Sequence, residues 1–149
     1  MKKLFFTIAT LFCISYSFSQ WDYKNVNNGF DDPYRIAYTS ENNGSILKLE
    51  DVDGRIFFYI QGGYFCDEIP VVDFVFYTKT QTLKFTLDCI TNAKNDVVFF
   101  TNDLVDSELY EIFKKSTFLK IRINQSYCDT ETYYFNMLKS TSALNFMLK

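Results

Sequence analysis

Short β-rich segments that recur about every ten residues constrain the fold of this chain more than any other feature of its sequence. Within each segment the residues are apolar throughout or alternate between apolar and polar, and turn-forming residues separate one segment from the next. This spacing is typical of an antiparallel sandwich or barrel. The predicted strands cover residues 34–41, 45–52, 55–61, 71–78, 82–91, 96–101, 118–125 and 131–138.

The Asp53-Gly54 pair gives the clearest turn signal. A two-residue type I′ turn needs positive φ at both central positions, and these residue types adopt it at low cost. We therefore expect consecutive strands to be hairpin neighbours. Segments 82–91 and 118–125 alternate, so we expect one side of each to face the core and the other side, with Lys84 and Arg122, to face solvent.

One helix is predicted near residues 106–115, inside this otherwise β-rich chain. Acidic residues occupy its first turn and Lys114-Lys115 its last turn, which suits the helix dipole. The C-terminal segment that begins with Ser140-Thr141-Ser142 indicates either a short capped helix or a last strand, and we favour the helix. The predicted fold class is therefore an all-β sandwich of about eight antiparallel strands with one or two short helices.

The first 19 residues have the three parts of a secretory signal peptide. Met1-Lys2-Lys3 is basic, Leu4 to Ile14 is apolar, and Ser17-Phe18-Ser19 has the small-x-small pattern of a cleavage site. The apolar stretch is roughly 11 residues long, well short of the ~20 that cross a bilayer. We expect cleavage after Ser19, which leaves residues 20–149 as a single secreted or periplasmic domain without a membrane span.

The composition excludes several classes of partner and chemistry. The chain has 18 acidic and 15 basic residues and a net charge of −3, so nucleic acid is not expected as a partner, because phosphate binding needs a basic surface. It contains no histidine, which removes the usual general base, the usual metal ligand and the Ser-His or Cys-His nucleophile pairs. No cofactor and no metal site are predicted.

Three cysteines remain after removal of the signal peptide: Cys66, Cys89 and Cys128. Disulfides form and persist in an oxidising compartment, so one pair and one free thiol are the simplest expectation. Cys89 falls on the apolar side of its strand, where a thiol behaves as a small buried hydrophobic group. We therefore predict a disulfide between Cys66 and Cys128.

Acidic residues near predicted turns leave one catalytic alternative open. A pair of carboxyl groups about 5 to 10 Å apart in a cleft is sufficient to hydrolyse a glycoside without histidine. The candidates are Asp51, Asp53, Asp67 and Glu68. Acidic residues in turns are more often solvated or cap the turn, so we rank this alternative second.

Two further sets of residues are candidates for structural or binding roles. Asp73 lies inside an apolar strand and needs a partner if that face is covered, and Arg122 on another strand is the predicted partner in a structural ion pair. The second set is aromatic: Tyr side chains on strands that are apolar on both faces predict either a covered face or an exposed patch for a protein or glycan. The candidate partner-binding residues are Trp21, Phe57, Tyr59 and Tyr77.

Several short motifs resemble those of a group of small secreted bacterial β-sandwich proteins. The pattern also resembles, more loosely, the periplasmic TagO-like proteins associated with type VI secretion. The resemblance implies a β-sandwich with one helix and transfers no active site. The motifs are Trp21, Phe30-Asp31-Asp32, Val72-Asp73 with Phe76, Phe113-Lys114-Lys115-Ser116, Leu119-Lys120-Ile121-Arg122-Ile123-Asn124, Cys128 and Tyr134-Phe135-Asn136-Met137.

Together these observations predict a secreted or periplasmic, non-enzymatic domain that binds a protein or glycan partner. The first alternative is the carboxylate-based glycan hydrolase. The second is a purely structural component of the cell envelope. The sequence alone does not distinguish which partner is bound.

Overall fold

A computed structural model describes residues 21–27, 29, 32–100 and 103–149. The predicted signal peptide, residues 1–19 with cleavage after Ser19, lies outside these residues, as do the motif residues Phe30 and Asp31. Within the described ranges, no helix is both long enough and apolar enough to cross a membrane.

The described residues form ten strands and two short helices in two antiparallel sheets, so the predicted sandwich-like all-β fold is confirmed. The six-stranded sheet has the order β1-β2-β3-β4-β8-β7, and the four-stranded sheet has the order β10-β9-β5-β6. In chain order the elements are β1 Asp22–Val26, β2 Tyr34–Ser40, β3 Ile46–Val52, β4 Arg55–Gln61, β5 Val71–Thr78, β6 Thr82–Asp88, β7 Ile90–Thr91, β8 Val97–Phe99, α1 Leu109–Lys115, β9 Ser116–Asn124, β10 Glu131–Asn136 and α2 Ser140–Met147.

The predicted turn between β3 and β4 is present. Asp53 has φ 53° and Gly54 has φ 79°, as a type I′ turn needs, and the Asp51 side chain accepts a 2.9 Å hydrogen bond from the Gly54 amide. Hairpins also join β2 to β3, β5 to β6 and β9 to β10. The expectation that all consecutive strands are neighbours is wrong at β4 and β5, which belong to different sheets.

The predicted single strand 82–91 is two strands in two different sheets. The chain leaves the four-stranded sheet after β6 and enters the six-stranded sheet at β7, and Cys89 is buried at the crossing. The Cys89 amide donates to the Pro70 carbonyl at 3.0 Å, and the Thr91 amide donates to the Glu68 carbonyl at 3.0 Å. The backbone amides after β6 therefore bond to carbonyls of the loop before β5 and not to β5 itself. The pairing of β5 with β6 ends at Asp88 for this reason.

Aromatic rings fill the space between the two sheets. Phe58 of β4 stacks on Phe100 at 3.7 Å between ring centres and meets Phe74 of β5 edge-on at 6.1 Å. Phe113 of α1 packs beside Phe58 at 5.8 Å and beside Phe76 at 6.5 Å, and Leu109 on the same side of the helix is buried as well, so the helix closes part of the core. Burial of these large side chains supplies the main driving force for this fold.

Both predicted helices are present. The first begins at Leu109 and not near residue 106. The residues just before it form a turn, in which the Ser107 hydroxyl donates to the Leu104 carbonyl at 2.7 Å. The second, α2, follows Lys139, which adopts a left-handed conformation with φ 69°. The Arg35 guanidinium donates to the Met147 carbonyl at 2.6 Å, which fixes the end of α2 to β2.

Candidate functional site

Three cations lie on the outer side of the four-stranded sheet: Lys84 on β6, and Lys120 and Arg122 on β9. Because side chains alternate along a strand, these residues point away from the core, while neighbours such as Ile121 are buried. None of the three cations forms an ion pair with any residue in the described ranges. We call the outward-facing side chains of β5, β6, β9 and β10 the cationic face.

The strand register arranges the cationic face in rows across the sheet. Lys84, Val75, Lys120 and Tyr134 occupy one row. The next row contains Thr86, Asp73, Arg122 and Thr132, and the row on the other side contains Thr82, Tyr77, Phe118 and Asn136. A further row, at the end of the sheet beyond Asp73 and Arg122, contains Asp88, Val71 and Asn124. The face therefore combines three cations, the carboxylates of Asp73 and Asp88, aromatic rings and hydrogen-bonding groups at the spacing of the strands.

The predicted Asp73–Arg122 ion pair is not formed, although the two residues lie directly opposite each other on β5 and β9. The Asp73 carboxylate instead accepts a 2.7 Å hydrogen bond from the Thr86 hydroxyl and a 2.9 Å hydrogen bond from the side-chain amide of Asn124. Among the described residues these two donors, and not Arg122, are the hydrogen-bond partners of the Asp73 carboxylate. The hydrogen bond from Asn124 first, then that from Thr86 and the nearby charge of Arg122, lower the pKa of Asp73 below its usual value.

Three aromatic side chains contact one another in a line beside the cations, and we call them the aromatic row: Tyr77 and Phe118 are neighbours on β5 and β9, and Tyr134 lies opposite Lys120 on β10. Their exposed fractions are 38% for Tyr77, 36% for Phe118 and 50% for Tyr134. The ring centres of Tyr77 and Phe118 are 5.7 Å apart, and those of Phe118 and Tyr134 are 6.1 Å apart. The Lys120 ammonium lies 5.5 Å from the centre of the Tyr134 ring, so the aromatic row continues into the cations.

Two concavities flank this aromatic row. The first has a volume of about 690 Å³, and its walls include all three cations together with Asp73 and Tyr77. The second has a volume of about 380 Å³ and is lined by Phe118, Tyr134, Asn136 and residues of the β2–β3 turn, among them Glu41. Tyr77 lines the first concavity and Phe118 lines the second, and the two rings contact each other, so the aromatic row lies between the concavities.

Phe57 and Tyr59 lie on the opposite side of the molecule. Both are half-buried on the outer side of β4 in the six-stranded sheet, where they line a separate concavity of about 570 Å³. The interpretation of Phe57, Tyr59 and Tyr77 as one patch is therefore wrong, because β4 and β5 turn their outer sides in opposite directions.

Tyr59 is engaged within its own sheet. Its hydroxyl donates to the Glu50 carboxylate, and Lys48 lies 3.1 Å from Glu50 and 4.9 Å from the centre of the Tyr59 ring. Burial, and then the hydrogen bond to Glu50, raise the pKa of Tyr59 above its usual value. The Tyr59 hydroxyl, the Glu50 carboxylate and the Lys48 ammonium therefore already have partners within the protein.

Trp21 is a core residue, so its predicted role as a contact surface is wrong. It is 1% exposed, and its ring centre lies 6.0 Å from that of Phe113 on α1. The residues that follow Trp21 in the sequence are mostly polar and give no sign that its side chain is buried. The burial of Trp21 comes from its packing against Phe113 of α1.

The predicted cysteine pairing agrees with the structure. Cys66 and Cys128 lie at disulfide distance, with Cα atoms 6.1 Å apart, and Cys89 is a buried free thiol. Burial, and then the nearby charge of Asp88, raise the pKa of Cys89 to about 12. Cys89 is therefore protonated at neutral pH.

The candidate acidic residues do not converge on one cleft. Asp51 and Asp53 lie at the turn where β4 begins, whereas Asp67 and Glu68 lie in the loop after β4 ends. The length of β4 separates the two pairs by roughly 20 Å. The Asp51 carboxylate accepts a hydrogen bond from the Gly54 amide in the turn. The Asp67 carboxylate accepts a 2.6 Å hydrogen bond from the Ser126 backbone amide. Among the described residues, no group of three or more His, Cys, Asp or Glu side chains is arranged to hold a metal ion.

Sequence reasoning did not identify Phe118 and Tyr134 as site residues. It placed Lys84 and Arg122 on outward sides, gave Arg122 a role only as the partner of Asp73, and gave Lys84 no role. The pairing of β9 with both β5 and β10 brings these side chains together, and strand order is not readable from alternation alone.

Comparison of the chain with models of known protein families, with curated proteins and with solved structures finds no match. The resemblance to TagO-like proteins therefore stays a prediction from the sequence motifs.

Proposed function

We propose that this protein is an exported, non-catalytic binding domain that holds its ligand on the cationic face. The observation that carries this proposal is the placement of three cations, which form no ion pair with any other described residue, beside three half-exposed aromatic rings. Exposed aromatic and Arg side chains are the residue types that contribute most to binding surfaces. The chain as a whole is acidic, so this concentration of positive charge is a local feature.

Two further observations support an exported protein that binds without catalysis. Cys66 and Cys128 lie at disulfide distance, and disulfides persist mainly in oxidising compartments outside the cytosol. The candidate acids Asp51 and Asp53 are separated from Asp67 and Glu68 by the length of β4, which does not suit a two-carboxylate mechanism between them.

The test uses the full chain, expressed with export, and a panel of soluble polymers. The panel contains neutral polysaccharides, acidic polysaccharides and poly-glutamate. Migration of the protein through gels that contain each polymer measures binding, and a reducing-end assay on the same mixtures measures hydrolysis. We expect at least one polymer to retard the protein without release of reducing ends.

Variants test whether this binding takes place on the cationic face. The double variant Lys120→Gln/Arg122→Gln should lose the retardation, whereas the control Lys24→Gln on β1 of the other sheet should keep it. Release of reducing ends that disappears in Asp67→Asn would favour the hydrolase alternative. Binding that the double variant leaves unchanged would contradict the proposal.

A further inference from the structure

The shape of the cationic face suits a chain-like ligand. A concavity of about 690 Å³ and one of about 380 Å³ lie on either side of the row Tyr77, Phe118 and Tyr134. A ligand that fills both concavities has to cross the aromatic row. An extended polymer does this, whereas a small molecule occupies only one concavity.

The chemistry of the face changes along this path. The larger concavity carries Lys84, Lys120 and Arg122 against the single carboxylate of Asp73. Both oxygens of that carboxylate are already hydrogen-bonded within the protein, to Thr86 and Asn124. Three cations face this one carboxylate, so positive charge is in excess in the larger concavity, and it favours a ligand with negative groups.

The positions of the cations suit charges that repeat along a polymer. Lys120 and Arg122 are two residues apart on β9, which places them roughly 7 Å from each other. Lys84 lies two strands away from Lys120, a separation of roughly 10 Å. A ligand with several negative groups therefore reaches more than one of these cations at once.

The aromatic row supplies the second part of the recognition. A half-exposed ring presents its negative face to the C–H groups on one side of a sugar ring, and each such contact is weak but additive. The smaller concavity adds the side-chain amides of Asn42, Asn43 and Asn136, which are donors and acceptors for hydroxyl groups. It also carries the Glu41 carboxylate, which accepts a hydrogen bond from the Tyr134 amide, so the negative groups of the ligand belong in the larger concavity.

We infer that the ligand of the cationic face is a segment of acidic polysaccharide, which pairs its carboxylates with Lys84, Lys120 and Arg122. Its sugar rings stack on Tyr77, Phe118 and Tyr134. This inference rests on the proposed function and adds the chemical class of the ligand.

The test measures the affinity of the full chain for polygalacturonate and for the same polymer after chemical reduction of its carboxyl groups to alcohols. We expect at least tenfold weaker binding to the reduced polymer. Binding to polygalacturonate should also weaken steeply between low and high salt, because screening reduces charge pairing. Poly-glutamate serves as an acidic polymer without sugar rings and should bind at least tenfold more weakly than polygalacturonate.

Variants separate the contribution of charge from that of the rings. Lys120→Gln/Arg122→Gln should lower the affinity for polygalacturonate at least tenfold and have little effect on the weak binding of the reduced polymer. Tyr134→Ala should lower the affinity for both polymers. The controls are Lys24→Gln and Tyr23→Ala on β1 of the other sheet, and thermal unfolding of every variant verifies that it is folded.

The outcomes distinguish failure of this inference from failure of the proposed function. Equal affinity for the two forms of the polymer, or preference for poly-glutamate, would overturn the inference but keep the proposed function if Lys120→Gln/Arg122→Gln still weakens that binding. Absence of binding to polygalacturonate overturns the inference as well. If the face variants alter binding to no polymer in the panel, both proposals fail.

Discussion

The Glu41 side chain accepts a hydrogen bond from the backbone amide of Tyr134, and this bond joins the two sheets. Glu41 lies in the turn between β2 and β3, whereas Tyr134 lies on β10, an outer strand of the four-stranded sheet. Outer strands expose unpaired amides that invite pairing with other chains. The turn of one sheet therefore covers part of the free edge of the other.

Glu41→Ala should leave the Tyr134 amide without its carboxylate acceptor. We expect a loss of about 1 to 2 kcal/mol in the free energy of unfolding, measured by urea denaturation. Hydrogen exchange at Tyr134 should become faster than in the parent protein. Glu41→Gln keeps an acceptor oxygen and should lose less stability, so equal losses in the two variants would contradict this role for the carboxylate.

Trp21 should report directly on the integrity of the core. Trp21→Ala removes a fully buried ring that packs on Phe113, and we expect a loss of about 3 to 5 kcal/mol in unfolding free energy. Trp21→Phe should lose much less, because the buried indole N–H has no hydrogen-bond partner among the described residues.

The measurement for Trp21 uses the fact that the chain contains a single tryptophan. Its fluorescence should be blue-shifted in the native protein and should move to longer wavelength on unfolding. A native emission spectrum like that of free tryptophan in water would show that the ring is exposed.

Loss of the link between Cys66 and Cys128 should be among the most destabilising changes in the molecule. The two residues are 62 positions apart, and a loop of this length corresponds to about 4 kcal/mol of stabilisation. The double variant Cys66→Ser/Cys128→Ser should therefore unfold at much lower urea concentration, and chemical reduction of the parent protein should have a similar effect.

Alkylation followed by peptide mass spectrometry gives an independent check on the three cysteines. Without reduction, the Cys89 peptide should be modified only after unfolding, because the thiol is buried and its pKa is raised to about 12. A disulfide-linked peptide pair that contains Cys89 would refute the pairing of Cys66 with Cys128.

Asp73 should make stability depend on pH in a defined direction. Its pKa is lowered in the folded protein, so the folded state binds protons less readily than the unfolded chain does. The stabilisation is present above the pKa of the unfolded chain, about 3.9, and is lost as the pH falls through the lower folded-state value. Because the face is exposed, we expect less than about 1 kcal/mol.

Asp73→Asn is the variant that tests this pH dependence. The difference in unfolding free energy between the parent protein and Asp73→Asn should be largest near pH 6 and should shrink below about pH 4. Asp88→Asn, an exposed change at the end of β6, serves as the control. A difference that stays constant across this range would show that the charge of Asp73 does not contribute.

The sequence predicted the individual strands well, because alternation and turn residues are local signals. Segment 55–61 matches β4 and segment 71–78 matches β5 without adjustment. Strand β1, Asp22–Val26, was missed because it is a largely exposed outer strand whose polar residues show no apolar alternation. The break at Cys89 was missed because it depends on loop carbonyls that are distant in sequence.

The candidate site was less predictable than the strands. Alternation shows that Arg122 and Tyr77 each point to one side of a strand, but it does not reveal which sheet that strand joins. The same limit explains why Tyr59 and Tyr77 were grouped together, although they lie on opposite outer surfaces. Assembly of the cationic face depends on the long-range pairing of β9 with β5.

The position of the cysteine pair affects the rigidity of the two strands on which a ligand of the cationic face would bind. Cys66 precedes β5 and Cys128 follows β9, and these strands are paired from Val71 and Asn124 onward. The cysteine pair therefore joins β5 and β9 at the end next to the row that contains Asp73 and Arg122. A polymer that settles there meets a preorganised platform, so little conformational freedom of the protein is lost on association.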